Sequence, residues 1–277
     1  MKTKQYRSTS SSTQLLLTAI AAIALGSSAA TAGTTSAKSG KEPVAPAPEA
    51  PFVTGNVTLN YDTHFISYGQ DIWAAGNSWK DALIHPSAEL DFNLGGGWQF
   101  YLNTWWDIND NAPTTIGKNI QEVDVNVGFY YTMDKFKFQL GYGSWNYAGQ
   151  TEHVIEGKVS YNDGLINPFF LVHGRPGIGS NIGLSTGAVG QIGIAPGKTF
   201  GPCSLSFPIT LSFDTDGFHG GDAGFAYVSA GPSASIALSK HISMNLAVTY
   251  YHTESSVIPT NPDSDFITGT AGFTVAF

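Results

Sequence analysis

Two short patterns in this chain have the spacing of a nucleophile and its base: His85-Pro86-Ser87 and His241-Ile242-Ser243. A serine attacks only when a base lies within hydrogen-bond reach and an oxyanion site receives the developing charge. His85 precedes Pro86 at a strand start with no Asn-containing motif to support it, His241-Ile242-Ser243 lies in an expected periplasmic turn, and a histidine two residues from a serine recurs by chance. Hydrolysis is therefore the minor reading. Asp62 and His64 would point the same way in a strand, but two ligands do not make a metal site. Asp214-Thr215-Asp216-Gly217 opens like a calcium loop, lacks the later oxygen ligands, and reads as an exposed turn. Pro176-Gly177-Ile178-Gly179 and Gly220-Gly221 have no phosphate-binding context. No metal and no cofactor is expected.

The remaining ionisable residues show a different order. Asp62, Glu89, Asp91, Glu122, Asp124, Lys137, Glu152, Glu156 and Lys158 fall inside segments that alternate polar and apolar residues with a period of two, the signature of β-strands. In the first segment Val53, Val57, Leu59, Tyr61 and Phe65 oppose Thr54, Asn56, Thr58, Asn60, Asp62 and His64. Ala88, Leu90, Phe92 and Leu94 oppose Ser87, Glu89, Asp91 and Asn93. Trp98, Phe100, Leu102 and Trp106 oppose Gln99, Tyr101, Asn103 and Trp105. Val123, Val125, Val127, Phe129 and Tyr131 oppose Glu122, Asp124, Asn126 and Tyr130. A fifth segment runs from Phe136 through Phe138, Leu140 and Tyr142. Seven more are placed near 151–161, 168–173, 181–195, 203–213, 223–238, 242–251 and 265–277. That makes twelve strands, with ten or fourteen as alternatives, and a β-bulge is expected at Gly231-Pro232.

The connections between these segments alternate in length. Those at 95–97, 132–135, 162–167, 195–202 and 239–241 are short. Those at 66–85, 107–119, 174–180, 214–222 and 252–264 are longer, and 148–150 is the exception. Short turns at one end and longer loops at the other describe an up-and-down barrel threaded through a bacterial outer membrane.

Composition agrees with an all-β chain. Of 277 residues 12% are charged, 13% are aromatic and 32 are glycine, and the mean hydropathy is -0.03. Residues 1–32 read as a secretory signal: Lys2, Lys4 and Arg7, an apolar run from Leu15 to Leu25, then Ala30-Thr31-Ala32. Residues 33–51 read as a Pro/Ala-rich periplasmic tether and 52–277 as the barrel. Without the leader, 10 basic residues face 21 acidic ones, a charge of -11, which argues against a nucleic-acid partner. Cys203 is the only cysteine, so no intrachain disulfide forms.

Alternation alone does not say which face meets the core, so other features must decide. Trp105, Trp106, Trp145, Tyr147, Tyr250 and Tyr251 end strands at one side, and Tyr130, Tyr131 and Tyr161 end strands at the other. They are expected to form two girdles at membrane interfaces. The strand charges, with His64, are expected to line a wet lumen, because each would cost a few kcal/mol against hydrocarbon. Phe273, Val275 and Phe277 share one face of the last segment. An alternating strand ending in Phe resembles the signal read by the outer-membrane barrel-assembly machinery.

A second resemblance covers most of residues 53–175. The runs VTGNVTLNYDTHFISYGQDIW, WWDIND, IQEVDVNVGFYYT and FQLGYGSWNY are similar to strands of the TorF-type family of porin-like proteins. Tyr61 to Gly69 and Glu122 to Tyr131 carry the likeness. His64-Phe65-Ile66-Ser67-Tyr68 stands where that family is arginine-rich. The resemblance implies an outer-membrane barrel with a transport role.

The expected function is a porin-like channel for passive diffusion of small solutes or ions. Seven acids against two lysines on the inward face give it a mild cation preference. A closed structural or adhesive barrel and an outer-membrane lipid hydrolase are the alternatives. The loop 66–85, with Trp73 and Trp79, would either fold over the pore or contact a partner. Lipids of the outer membrane and the assembly machinery are the expected partners, and a monomer and a homo-oligomer both fit.

Overall fold

Each alternating segment becomes one strand of a wall. A computed structural model describes residues 51–73, 79–180, 183 and 185–277. The expected signal and residues 33–50 of the expected tether lie outside the described residues. The strands are β1 (Val53–Asp62), β2 (Leu83–Gly95), β3 (Trp98–Ile108), β4 (Ile120–Met133), β5 (Phe136–Tyr147), β6 (Gln150–Tyr161) and β7 (Phe169–Arg175). Three interrupted strands follow: β8 (Gly187–Ile194 with Gly197–Phe200), β9 (Cys203–Ser206 with Ile209–Asp214) and β10 (Gly224–Ala230 with Ser233–Ala237). β11 (Ile242–Thr253) and β12 (Asp265–Ala276) complete the set. Each strand pairs antiparallel with the next, and β12 returns to β1 through the register Asn56↔Ala276 to Asp62↔Thr270. The result is a closed twelve-stranded antiparallel barrel. Closure leaves no free sheet edge.

Local chemistry sets the turns. Gly95, Gly96 and Gly97 all have positive φ, which glycine alone adopts without strain. Asp134 takes the positive-φ position between β4 and β5. Asp163 ends the β6 side of its turn by accepting the backbone N–H groups of Leu165, Ile166 and Asn167. Those three donors hold its carboxyl below the ordinary range. The last residue closes the seam: Phe277 exchanges two backbone hydrogen bonds with Gly55, each 3.0 Å.

Two sequence expectations change. The segment 195–202 is not a loop. Gly197–Phe200 and Cys203–Ser206 pair as a hairpin that extends β8 and β9, so the turn itself is only Gly201-Pro202. The β-bulge lies at Ala226, where the β9–β10 register shifts between Ser212 and Phe213, and not at Gly231-Pro232. Through Pro196, Pro208 and Pro232 the register is unbroken, because each proline still accepts a ladder hydrogen bond at its carbonyl. A proline removes only the donor.

The two faces of the wall differ sharply. Leu140 and Ile267 are each 62% exposed on the outside, and Val57, Leu59, Phe129, Phe138, Ile155 and Phe273 are also exposed there. Inside are buried polar residues, among them Asp107, Glu152, His173, Arg175, Ser212, Asn245 and Thr274. A water-soluble barrel has the reverse arrangement.

Candidate functional site within the barrel

The site is the barrel interior, and period-two geometry decides which side chains reach it. On β4, Glu122 and Asp124 point inward with Tyr130. On neighbouring strands Trp105 and Trp145 stand directly beside Asp124, and Asp107 and Tyr147 stand beside Glu122. Glu152 follows on β6, opposite Trp145. Arg175 on β7 donates from Nε to Glu152 and from Nη1 to the carbonyl of Phe218. Its guanidinium also lies over the Phe218 ring, 4.1 Å from the centroid.

His85 is the centre of a second network. Its Nδ1 lies 2.7 Å from Asp62 and its Nε2 3.2 Å from Asp107. Thr270 donates to Asp62, and Trp73 donates to Asp107 at 2.7 Å. Both ring nitrogens are therefore engaged, and neither remains for Ser87. His241 directs Nδ1 at the carbonyl of Ala276, 2.9 Å away, rather than at Ser243. Asp214 is buried and paired with His219 at 2.6 Å, so the expected exposed turn begins one residue later.

Toward the opposite end of the interior lie Glu89, Asp91, Lys137 and Lys158. Lys137 Nζ lies over the Tyr130 ring at 3.6 Å, and Lys158 Nζ over Phe169 at 4.9 Å. Tyr130 donates to Glu89 and stacks on Tyr101. Tyr101 lies flat along the wall because Gly128 and Gly141 have no side chain there; a Cβ at Gly128 would come within 2.7 Å of its ring.

The first long loop folds into the barrel. After Asp62 the chain leaves the ladder, and Ile66–Ser67 pairs with Gln70–Asp71 as a short hairpin. Phe65 thus turns inward, 4.8 Å from Trp105, instead of staying on the outer face. Tyr68, with φ +48°, sets its ring 4.1 Å from His173 and nearly parallel to Trp145, and donates to Glu156 at 2.8 Å. Asn261 clamps the hairpin by accepting from the Asp71 N–H and donating to the Gly69 carbonyl. His64 sits in this loop, 3.7 Å from Asp71. Burial raises Asp71 to about 6 and lowers His64. Both shifts disfavour the charged forms, so this contact is a weak ion pair. Trp79 takes the opposite side: it stacks on Tyr61 outside the wall.

The interior holds cavities among the described residues. One of about 500 Å³ lies against the hairpin and is lined by Asp62, Glu122, Asp124, Trp105, Trp145 and Tyr251, among others. Another, of about 210 Å³, is lined by Glu89, Tyr101, Asn103, Asn126, Gln139 and Glu156, with further residues.

The expected girdles are corrected by these placements. Trp105, Tyr130, Trp145, Tyr147 and Tyr251 face the interior, where they stack, line cavities or, in the case of Tyr147, donate to Glu152. Trp106 and Tyr250 are exposed, and Tyr131 and Tyr161 pack against the outer-face rings Trp98 and Phe136. Neighbours in sequence point to opposite faces, so a Trp-Trp or Tyr-Tyr pair supplies one ring to each. His85, Asp107, His173, Arg175 and Tyr68 are interior groups beyond those expected from the sequence. The inward parity of His85 and Asp107 was readable, but the insertion of Tyr68 left no periodic signal.

No protein-family model matches the chain, and no curated protein matches it. Solved structures do. The COG4313 outer-membrane channel from Pseudomonas putida F1 superposes over 84% of this chain and 100% of its own, with a TM-score of 0.52 and 8% identity. The KdgM porin covers 80% and 99%, with a TM-score of 0.46 and 7% identity. OmpF of Salmonella typhi covers 81% and 97%, with a TM-score of 0.39 and 10% identity. These neighbours are outer-membrane porins and channels. At such identities the likeness is one of fold.

Proposed function

We propose that this protein is a porin-like channel of the bacterial outer membrane, passing small solutes or ions with a mild cation preference. One observation carries the reading: a closed wall is apolar outside and charged inside. Exposed Leu140, Ile155, Ile267 and Phe273 suit hydrocarbon, whereas Glu89, Glu122, Asp124, Lys137 and Glu156 need water or partners. With Asp107 and Asp214 added to the seven expected acids, nine inward acids face Lys137, Lys158 and Arg175, which favours cations. We read the chain as non-enzymatic, because the two His-x-Ser patterns direct their histidines elsewhere. Phe273, Val275 and Phe277 lie on the outer face in this reading, open to the assembly machinery. The TorF-type resemblance points the same way. Liposome swelling tests the proposal. Proteoliposomes should swell in small neutral solutes at a rate that falls steeply with solute size. Vesicles that stay as tight as protein-free ones would favour the closed structural barrel.

A further inference from the structure

We propose that the larger cavity is a binding site for a small organic ammonium ion, its charge held at Asp124 between Trp105 and Trp145. The inference rests on the channel reading, since it names a class of solute for that interior.

The cavity, about 500 Å³, has the size of a small-molecule site. Its lining includes three carboxylates, those of Asp62, Glu122 and Asp124, and no lysine or arginine. The deeper of its two histidines, His85, is already held between Asp62 and Asp107, and the other, His64, faces Asp71. Asp62 is answered by His85 and Thr270. Asp124 is not: it is 7% exposed, and its Oδ1 has no hydrogen-bond partner. Glu122 stands two residues away on the same face of β4. Among the described residues no salt bridge reaches either carboxylate. Two adjacent carboxylates removed from bulk water must share a proton or be compensated by a cation, and a cation that enters the cavity displaces the proton.

The walls indicate which cation. The register places Trp105 on one side of Asp124 and Trp145 on the other, and Phe65, Tyr68, Tyr227 and Tyr251 add further rings. Aromatic faces attract cations and shelter alkyl groups. A bare metal ion would need converging ligands, and no group of three or more His, Cys, Asp or Glu among the described residues is so arranged. An anion meets carboxylates and ring faces of its own sign. A neutral solute can donate a hydrogen bond to the Asp124 oxygen but leaves the carboxylate charge uncompensated. An alkylammonium ion satisfies both features, with its charge on the carboxylate and its body among the rings. The hairpin completes the site, because Phe65 and Tyr68 lie against the two indoles.

Calorimetry and tryptophan fluorescence on the protein folded in detergent micelles test this, with choline, its uncharged carbon isostere 3,3-dimethylbutan-1-ol, and calcium chloride as probes. Choline should bind saturably and quench or shift the emission. The isostere should bind at least about tenfold more weakly, as should choline to Asp124→Asn and Glu122→Gln. Equal affinity for choline and the isostere overturns the proposal, as does calcium binding there in preference to choline. Unchanged choline affinity in both folded variants also overturns it. The isostere comparison uses the unaltered protein, so a variant that fails to fold leaves the test intact. Binding without ion conductance would keep the site and remove the channel; conductance without choline binding would do the reverse.

Discussion

The interior has two unlike walls. From β2 to β6 it carries Glu89, Asp91, Asp107, Glu122, Asp124, Lys137, Glu152, Glu156 and Lys158, interleaved with Tyr101, Trp105, Tyr130 and Trp145. From β8 to β12 it carries Gln191, Ser212, Ser229, Ser233, Asn245, Thr270 and Thr274, with Asp214 engaged by His219. The inserted hairpin leans on the charged wall: Phe65 on Trp105, Tyr68 on Glu156 and His173, Trp73 on Asp107. On the other side Gly69 packs on Tyr227, and Asn261 and Thr260 of the β11–β12 connection hold the hairpin by hydrogen bonds. One wall therefore sets the electrostatics and anchors the constriction, and the other supplies a neutral hydroxyl surface. In the proposed channel, an ion between them would experience a field from one side.

The largest effect should come from stranding a charge on the first wall. Arg175→Met leaves Glu152, 2% exposed, with Tyr147 but without its cationic partner, and should cost about 3–5 kcal/mol of stability. Thr274→Val on the second wall removes hydrogen bonds to Thr58 and Asn245 and should cost about 1–3 kcal/mol. Urea titration followed by electrophoretic mobility ranks the two; a smaller loss for Arg175→Met would break the distinction. Next in size is the constriction. Replacing residues 65–71 by a short Gly-Ser linker should raise single-channel conductance several-fold, and an unchanged conductance would mean that the hairpin does not narrow the path.

A finer contrast concerns selectivity. Glu89→Gln with Glu156→Gln should move the reversal potential in a salt gradient toward zero. Ser212→Ala with Ser229→Ala should leave it where it was. Equal shifts from both pairs would dissolve the comparison. The smallest effect is one of pH at the hairpin. Burial raises Asp71 to about 6, so its protonated form favours the docked loop. That contribution is complete below the ordinary carboxylate value of about 4 and is lost as pH rises through about 6. His64, lowered by burial, acts oppositely and favours docking once neutral. In Asp71→Asn, proteolytic protection of the hairpin should lose the decline between about pH 4 and 6; a retained decline would assign it to another group.

The charged wall was the legible one. Within each of the strands β2 to β5 the alternation is clear, and residue parity inside each strand places Glu89, Asp124 and Lys137 on the polar face. Parity also put Trp105 and Tyr130 with the polar residues. Adjacent aromatics do not act as a unit: Trp105 and Tyr130 follow parity into the interior, and Trp106 and Tyr131 follow it outward. The hydroxyl wall was harder to read. Pro196, Pro208 and Pro232 interrupt its strands without changing register, and alanine, serine and glycine give little contrast between faces. The bulge at Ala226 shifts the phase ahead of Gly231-Pro232, which drew the expectation to the wrong place. The hairpin was unreadable for another reason. Tyr68 enters the interior through contacts with Glu156 on β6, His173 on β7 and Trp145 on β5, and no local pattern encodes contacts so distant in sequence.

The central claim is a conducting interior whose field comes from one acidic wall. Its most direct test is the reversal potential of the reconstituted protein in a planar bilayer under a potassium chloride gradient. The account predicts discrete conductance with a potential on the cation-selective side. Clear anion selectivity, or a bilayer that stays silent with folded protein inserted, would contradict it.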